Sequence, residues 1–245
     1  IQDGTLSCPL PDDPRVAFDV RYTPEEIIGG DFYRIEPLAE GAYALMVADV
    51  MGHGPAAALF PMQLRSLWEE CRAALGNPGR FMTLLNARLH RLISAEGYFA
   101  TAIYAHLDAA SGQIRYVRAG HPAGLVIDPA GRIDPLAHCA PALGLLPETA
   151  YESHAARLEP GDCLLLHTDA AVEVCDAGGN ELGEEGFLSI IGDELRSGEG
   201  LASDRIENRL LRYAGTLRLP DDLTLVLARW IGPESWMSGT TRTPT

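Results

Sequence analysis

From Tyr98 onward the chain alternates short apolar runs with tight-turn residues, and that rhythm restricts the fold more than any other feature. Phe99 to Leu107 and Gln113 to Arg118 flank Asp108-Ala109-Ala110-Ser111-Gly112, a hairpin signal. Gly124 to Ile127 continues across Asp128-Pro129-Ala130-Gly131 into another strand. Tyr151 to Leu158, the turn Glu159-Pro160-Gly161-Asp162 and the apolar Cys163 to Leu166 add two more, and Leu223 to Trp230 reads as the last. Connections this short join antiparallel neighbours, because a parallel crossover needs about a dozen residues. The rhythm predicts an antiparallel meander.

The first hundred residues complete the pattern. Val16 to Tyr22 partly alternates apolar with polar, and Gly29-Gly30 breaks the chain before Asp31-Phe32-Tyr33-Arg34-Ile35. Ala42 to Val47 is nearly all apolar, which predicts a central strand covered on both faces. Phe60, Leu64, Leu67, Trp68, Cys71 and Leu75 then recur at spacings of three and four, one face of a helix. Pro55 suits its first turn, whereas Pro61 predicts a kink or a late start. Asn77-Pro78 opens a second helix with Phe81, Leu84, Leu85, Leu89 and Leu92 as its buried stripe. Two further helical stretches fall near 184–195 and 201–215. Strands outnumber helices and run as hairpins, so the expected class is α+β, an antiparallel sandwich with helices outside.

With 245 residues, 47% of them hydrophobic, the chain can bury a large core, and one domain is the simplest division. The expected bounds are a lead-in segment over 1–14, the domain over 15–231, and a disordered or appended tail over 232–245, rich in Ser, Thr, Pro and Gly. Asp and Glu number 34 against 19 basic residues, which are scattered, so nucleic acid is not an expected partner. No apolar run is long enough to span a bilayer, and Ile1-Gln2-Asp3-Gly4 has no charged-then-apolar leader. The expectation is a soluble, cytoplasmic protein without a membrane partner. The five cysteines never form CxxC and read as buried free thiols.

Three aspartates occupy the same kind of place. Asp49 ends the apolar run from Ala44, Asp169 ends the run from Leu164, and Asp221-Asp222 directly precedes Leu223 to Leu227. Asp31, after Gly29-Gly30, is a fourth. Each could cap a turn, as Asp often does. Gathered at one rim, they could instead hold a hard divalent cation, which prefers oxygen ligands. Spacing alone leaves both readings open.

Six ordered motifs carry a resemblance: Gly30-Asp31-Phe32-Tyr33, Ala48-Asp49-Val50-Met51-Gly52-His53-Gly54, Arg118-Ala119-Gly120-His121-Pro122, Leu143-Gly144-Leu145, His167-Thr168-Asp169 and Asp221-Asp222-Leu223-Thr224. Together they resemble bacterial PPM-type (type 2C) serine/threonine phosphatases, in the branch of the stage II sporulation phosphatase and the sigma-factor regulatory phosphatases. The resemblance implies an αββα sandwich with two Mn²⁺ or Mg²⁺ ions at one end. It implies that Asp49 bridges both ions, that the Val50 carbonyl joins one, and that Asp169 and Asp221 hold the second. Asp222 stands adjacent, and the motif leaves open which of the pair turns inward. Two such ions would activate a water for in-line attack on phosphoserine or phosphothreonine, without a protein nucleophile. The chain accordingly has no GxSxG elbow.

The implied substrate is the phosphorylated form of an anti-sigma-factor antagonist in a partner-switching pathway, and the implied context is an effector domain controlled by an N-terminal sensory or receiver module. Asp31, Arg34 and His53 are accessory candidates. His53 is either an acid for the leaving alkoxide or a turn former, His121 is expected in a strand-end hydrogen bond, and His167 in packing. Arg34 stands where the family commonly has Asp, and Ala170 where it commonly has Gly. Arg34 is expected to face solvent or a phosphoprotein. These departures motivate an alternative, a degenerate domain that binds its partner without turnover. A dinucleotide-binding reading of Gly52-His53-Gly54-Pro55-Ala56-Ala57 lacks the βαβ unit that it requires.

Overall fold

The computed structural model describes residues 10–25, 29–50, 55–93 and 98–233. Ten strands form two five-stranded sheets. The first contains β2 (Phe32–Pro37), β3 (Ala42–Val50), β4 (Ala100–Asp108), β5 (Gln113–Ala119) and β8 (His154–Arg157), in that order. The second runs β1 (Val16–Thr23), β10 (Leu223–Trp230), β9 (Cys163–His167), β6 (Leu125–Ile127), β7 (Ile133–Pro135). Every ladder between these strands is antiparallel.

β3 explains the layering. Its residues alternate faces with the two-residue period of a strand, and both faces are apolar. Ala44, Met46, Ala48 and Val50 pack beneath α1 (Pro55–Glu70) and α2 (Pro78–Ile93), against Trp68, Phe81 and Leu85. Tyr43, Leu45 and Val47 face the second sheet and share a core with Leu164, Leu166 and Val226. On that sheet's far side Leu165, Leu225 and Leu227 are covered by α4 (Gly183–Arg196) and α5 (Ser203–Ala214) through Phe187, Ile191 and Leu210. The result is the expected αββα sandwich, with three apolar layers.

Local expectations fare unevenly. Asn77 caps α2, its Oδ1 accepting from the Arg80 N–H at 3.1 Å. Pro61 lies inside α1 rather than opening it. Leu92 is 52% exposed and leaves the α2 stripe, because that helix packs through Phe81, Met82, Leu85, Leu89 and Ile93, with Leu84 partly buried beside them. The meander is also divided: β4 and β5 belong to one sheet, and the chain crosses at Gly120–Gly124 to place β6 and β7 in the other. A further one-turn helix, α3 (Ala170–Glu173), follows β9. At one end of the sandwich Trp230 closes the core, its indole N–H donating to the Ala109 carbonyl at 2.9 Å.

Candidate active site

The acidic residues meet at the other end, Asp49 on the first sheet and Asp169, Asp221 and Asp222 at strand ends of the second. Asp49 is the penultimate residue of β3, opposite Thr101 of β4, and by strand parity it faces the second sheet with Leu45 and Val47. β9 and β10 are neighbours, so the residues after one and before the other, Asp169 and Asp221-Asp222, come together. Burial, then the charges of Asp169, Asp221 and Asp222, push the Asp49 carboxyl up to about 7. Burial also raises Asp169, with Glu173 adding to it, and raises Asp221, with Asp169 and Asp222 adding. No cation is among the principal charges acting on these three carboxyls.

Turn capping does not explain Asp169. It stands at the N-cap of α3 with helical backbone angles, and its side chain makes no capping hydrogen bond. The following Ala170 is an ordinary helical residue, so its methyl group costs nothing where a glycine would also fit.

Asp222 is held differently. Its Oδ1 accepts from the Glu25 N–H at 2.7 Å and its Oδ2 from the Gly30 N–H at 2.5 Å. The contact needs Gly29, where a Cβ would lie 2.5 Å from Asp222 Oδ2. At Gly30 a Cβ would instead make only ordinary contacts, 3.8 Å from the Val50 carbonyl oxygen, 3.9 Å from Asp222 Oδ2 and 4.0 Å from Asp49 Oδ1. Three oxygens from β3 and the β10 approach thus surround one small cradle that glycine leaves unfilled. Its donors are all oxygen, the chemistry that suits Mg²⁺ or Mn²⁺. Among the described residues no three His, Cys, Asp or Glu side chains are drawn into a closed metal-ligand set. The Asp222 carboxylate is anchored to backbone instead.

Asp31 plays another part. It is 1% exposed, and its Oδ2 accepts from the hydroxyls of Thr224 at 2.6 Å and Thr168 at 3.0 Å. Thr168 adjoins Asp169, and Thr224 follows Asp222 by two, so this clasp ties the start of β2 to the segments bearing the other carboxylates. Burial, and then the charges of Asp49 and Asp222, hold Asp31 well above the usual carboxylate range, against the Thr224 hydrogen bond. Sequence reasoning passed over both threonines. The signal was there, since Thr168 and Thr224 both stand within the motifs that carry the family resemblance.

Arg34 is a correction. By strand parity it lies with Phe32 and Glu36 on the helix-facing side of β2, and it reaches Glu36 at 3.3 Å and Glu69 of α1 at 3.4 Å. Its guanidinium carbon is 6.0 Å from the centre of the Trp68 ring. It turns away from the acidic cluster and is largely buried, because Glu36 of its own strand and Glu69 of α1 draw its guanidinium under the helix. His121 is buried, with Nδ1 2.7 Å from Thr101 Oγ1, and burial lowers it to about 3. His167 packs its ring 4.7 Å from Phe187. His53 lies outside the described residues, as do Gly52 and Gly54.

Comparison with known proteins agrees with this geometry. The family model of stage II sporulation protein E (SpoIIE) matches residues 39–231. The phosphoserine phosphatase RsbP of Bacillus subtilis (strain 168) is 31% identical over 176 residues, 71% of this chain and 43% of RsbP, so the chain spans less than half of that relative's length. The SiaA-PP2C domain of Pseudomonas aeruginosa superposes with a TM-score of 0.75 at 23% identity, covering 87% of this chain and 85% of that one. RsbX, solved in complex with magnesium, gives 0.66 at 21% identity, over 90% and 98% of the two chains. A match over most of the length, on a sandwich with this strand order, makes the chain a member of the stage II sporulation protein E family.

Proposed function

We propose that this domain is a metal-dependent protein serine/threonine phosphatase that removes phosphate from a regulatory protein, an anti-sigma-factor antagonist in its phosphorylated form. The observation that carries the reading is the oxygen-lined cradle at Gly30, with Asp169 and Asp221 close enough to raise the Asp49 carboxyl and no cation among the principal charges from the described residues. Asp49, the Val50 carbonyl, Asp169 and Asp221 would hold two Mn²⁺ or Mg²⁺ ions. Asp222, already fixed by two backbone N–H groups, would hold its loop and lend one oxygen.

When bound, the ions supply an activated water and screen the charge on the phosphate. The protein's own contribution is placement. β3 presents Asp49 rigidly because both its faces are packed. The Asp31 clasp holds the half-site of the second sheet in register with it. His121 and His167, both kept neutral by burial, add no positive charge to compete with a cation. The same reading places a sensory or receiver module before the domain in the full-length protein.

The binding-only alternative drew on Arg34 and Ala170. One is engaged with α1 and the other sits without strain in α3. Release of phosphate from a phosphoserine protein in millimolar Mn²⁺ tests the proposal. Turnover that disappears in Asp49→Asn supports it, and an inactive wild-type chain sinks it.

A further inference from the structure

The motif Leu143-Gly144-Leu145 has so far been given no task. Leu143 is fully buried and bridges Ala100, which itself pairs with Val50 across β3 and β4. The next two residues, Leu145 and Leu146, are each 52% exposed, the only consecutive pair of large exposed apolar side chains among the described residues. The backbone beneath them is nevertheless tightly held. Asn86 of α2, wholly buried, accepts from the Gly144 N–H and donates to the Leu146 carbonyl, both at 2.8 Å. His90 Nδ1 lies 2.6 Å from the Gly144 carbonyl. Gly144 has φ +81, and a Cβ there would strike Ile93 Cδ1 at 2.7 Å. The loop is seated down to its backbone and still turns two leucines outward.

We propose that Leu145 and Leu146 are the apolar docking point for the phosphoprotein substrate; the inference rests on the phosphatase reading and names how its substrate is held. Position supplies the occupant. Cross-strand partners are about 5 Å apart, so Leu143 lies about 10 Å from Val50, and Leu145 at most about 17 Å. A folded partner forming an ordinary interface covers about 800 Å² on each side, a patch roughly 32 Å across. Half of that span, about 16 Å, is comparable with the bound on Leu145, so a folded protein that delivers a phosphoserine to the acidic cluster and extends toward this loop meets the leucine pair at its rim, whereas a free phosphate ester does not. A rigid loop loses little entropy on being covered, which suits a docking point. The partner is a folded phosphoprotein with an apolar patch beside its phosphoserine.

The test compares Leu145→Ser/Leu146→Ser with wild type on two substrates in Mn²⁺, p-nitrophenyl phosphate and a phosphorylated anti-sigma-factor antagonist. The expected result is a fall in kcat/KM on the protein of at least about tenfold, with the small ester unchanged within about twofold. Equal activity on the protein overturns the inference, and so does a parallel loss on both substrates. A concentration-dependent dimer present in wild type and lost in the variant assigns the leucines to a second copy and also overturns it. If wild type turns over neither substrate, the phosphatase reading fails by itself, and docking is decided by binding. The phosphoprotein should then bind Asp49→Asn more tightly than Asp49→Asn carrying both serines, and equal affinity overturns the inference.

Discussion

Glu194 in α4 is enclosed by Arg205 and Arg209 of α5, whereas Asp49 at the end of β3 faces Asp169, Asp221 and Asp222. Burial alone pushes Glu194 upward, but hydrogen bonds from the two arginines outweigh it and hold the carboxyl below its ordinary value. Burial pushes Asp49 the same way, and its neighbours push further. Glu36 repeats the Glu194 solution, taking Arg72 at 2.5 Å, Arg34 at 3.3 Å and the Trp68 indole at 2.7 Å. Where a buried carboxylate joins a helix to a sheet or to another helix, the fold provides its cation. At the sandwich end the principal charges on Asp49 from the described residues are other carboxylates, an arrangement more common at functional sites than in structural ion pairs.

The largest expected effect removes that contrast at its centre. Asp49→Asn should lower Mn²⁺-dependent phosphate release by about a thousandfold or more, measured as kcat/KM on a phosphoprotein, since on the proposed reading it deletes a charged ligand. The same substitution should leave metal-free protein at least as stable as wild type, because it also deletes repulsion.

The pH dependence of stability sharpens the comparison, since the two regions have opposite signs. Asp49 titrates near 7 folded against 3.8 unfolded. Its favourable contribution is thus complete below about pH 4 and is lost as pH rises to about 7, an effect on the order of 2–4 kcal/mol in chelated protein. Glu194, lowered from 4.5, contributes above that value and loses its contribution as pH falls below it. Thermal melts from pH 3 to 8 in a chelator should show the upper slope flattened in Asp49→Asn and the lower slope flattened in Glu194→Gln. Saturating Mn²⁺ should abolish the upper slope in wild type alone.

The two glycines before β2 offer a finer separation. Gly29→Ala forces a methyl to 2.5 Å from Asp222 Oδ2 and should cost about 1–3 kcal/mol in denaturant melts. Gly30→Ala meets only ordinary contacts and should fold within about 0.5 kcal/mol of wild type while weakening Mn²⁺ binding, because its methyl fills the cradle. If the two variants behave alike, the cradle has no role in holding a cation. For catalysis the smallest effect is that of Arg34→Ala, which should cost about 1 kcal/mol in stability and leave kcat/KM unchanged. A change in catalysis there would return Arg34 to the site.

Much of this was legible from residue patterns. The unbroken apolar run of β3 announced a strand covered on both sides, and the strand-end positions of Asp49, Asp169 and Asp221 marked where chemistry could gather. Local signals went no further than local structure. A hairpin motif is the same whichever sheet it joins, so the crossing after β5 was invisible. Arg34 looked available because its partner Glu69 is 35 residues away on a helix. The Asp31 clasp was hidden for the same reason, its threonines lying 137 and 193 residues downstream.

The division of the acidic cluster between two sheets has a mechanical consequence. The gap between its halves is a jaw opening, and the spacer that sets it is the apolar layer of Leu45, Val47, Ile103, Leu164, Leu166 and Val226. With the Asp31 clasp at one end and the Trp230 indole at the other, the sheets are pinned like the arms of a caliper. One methylene added or removed in that layer resets the gauge, so residues that never touch a substrate determine the width of the jaw and, on the proposed reading, whether it fits a pair of ions and a phosphate.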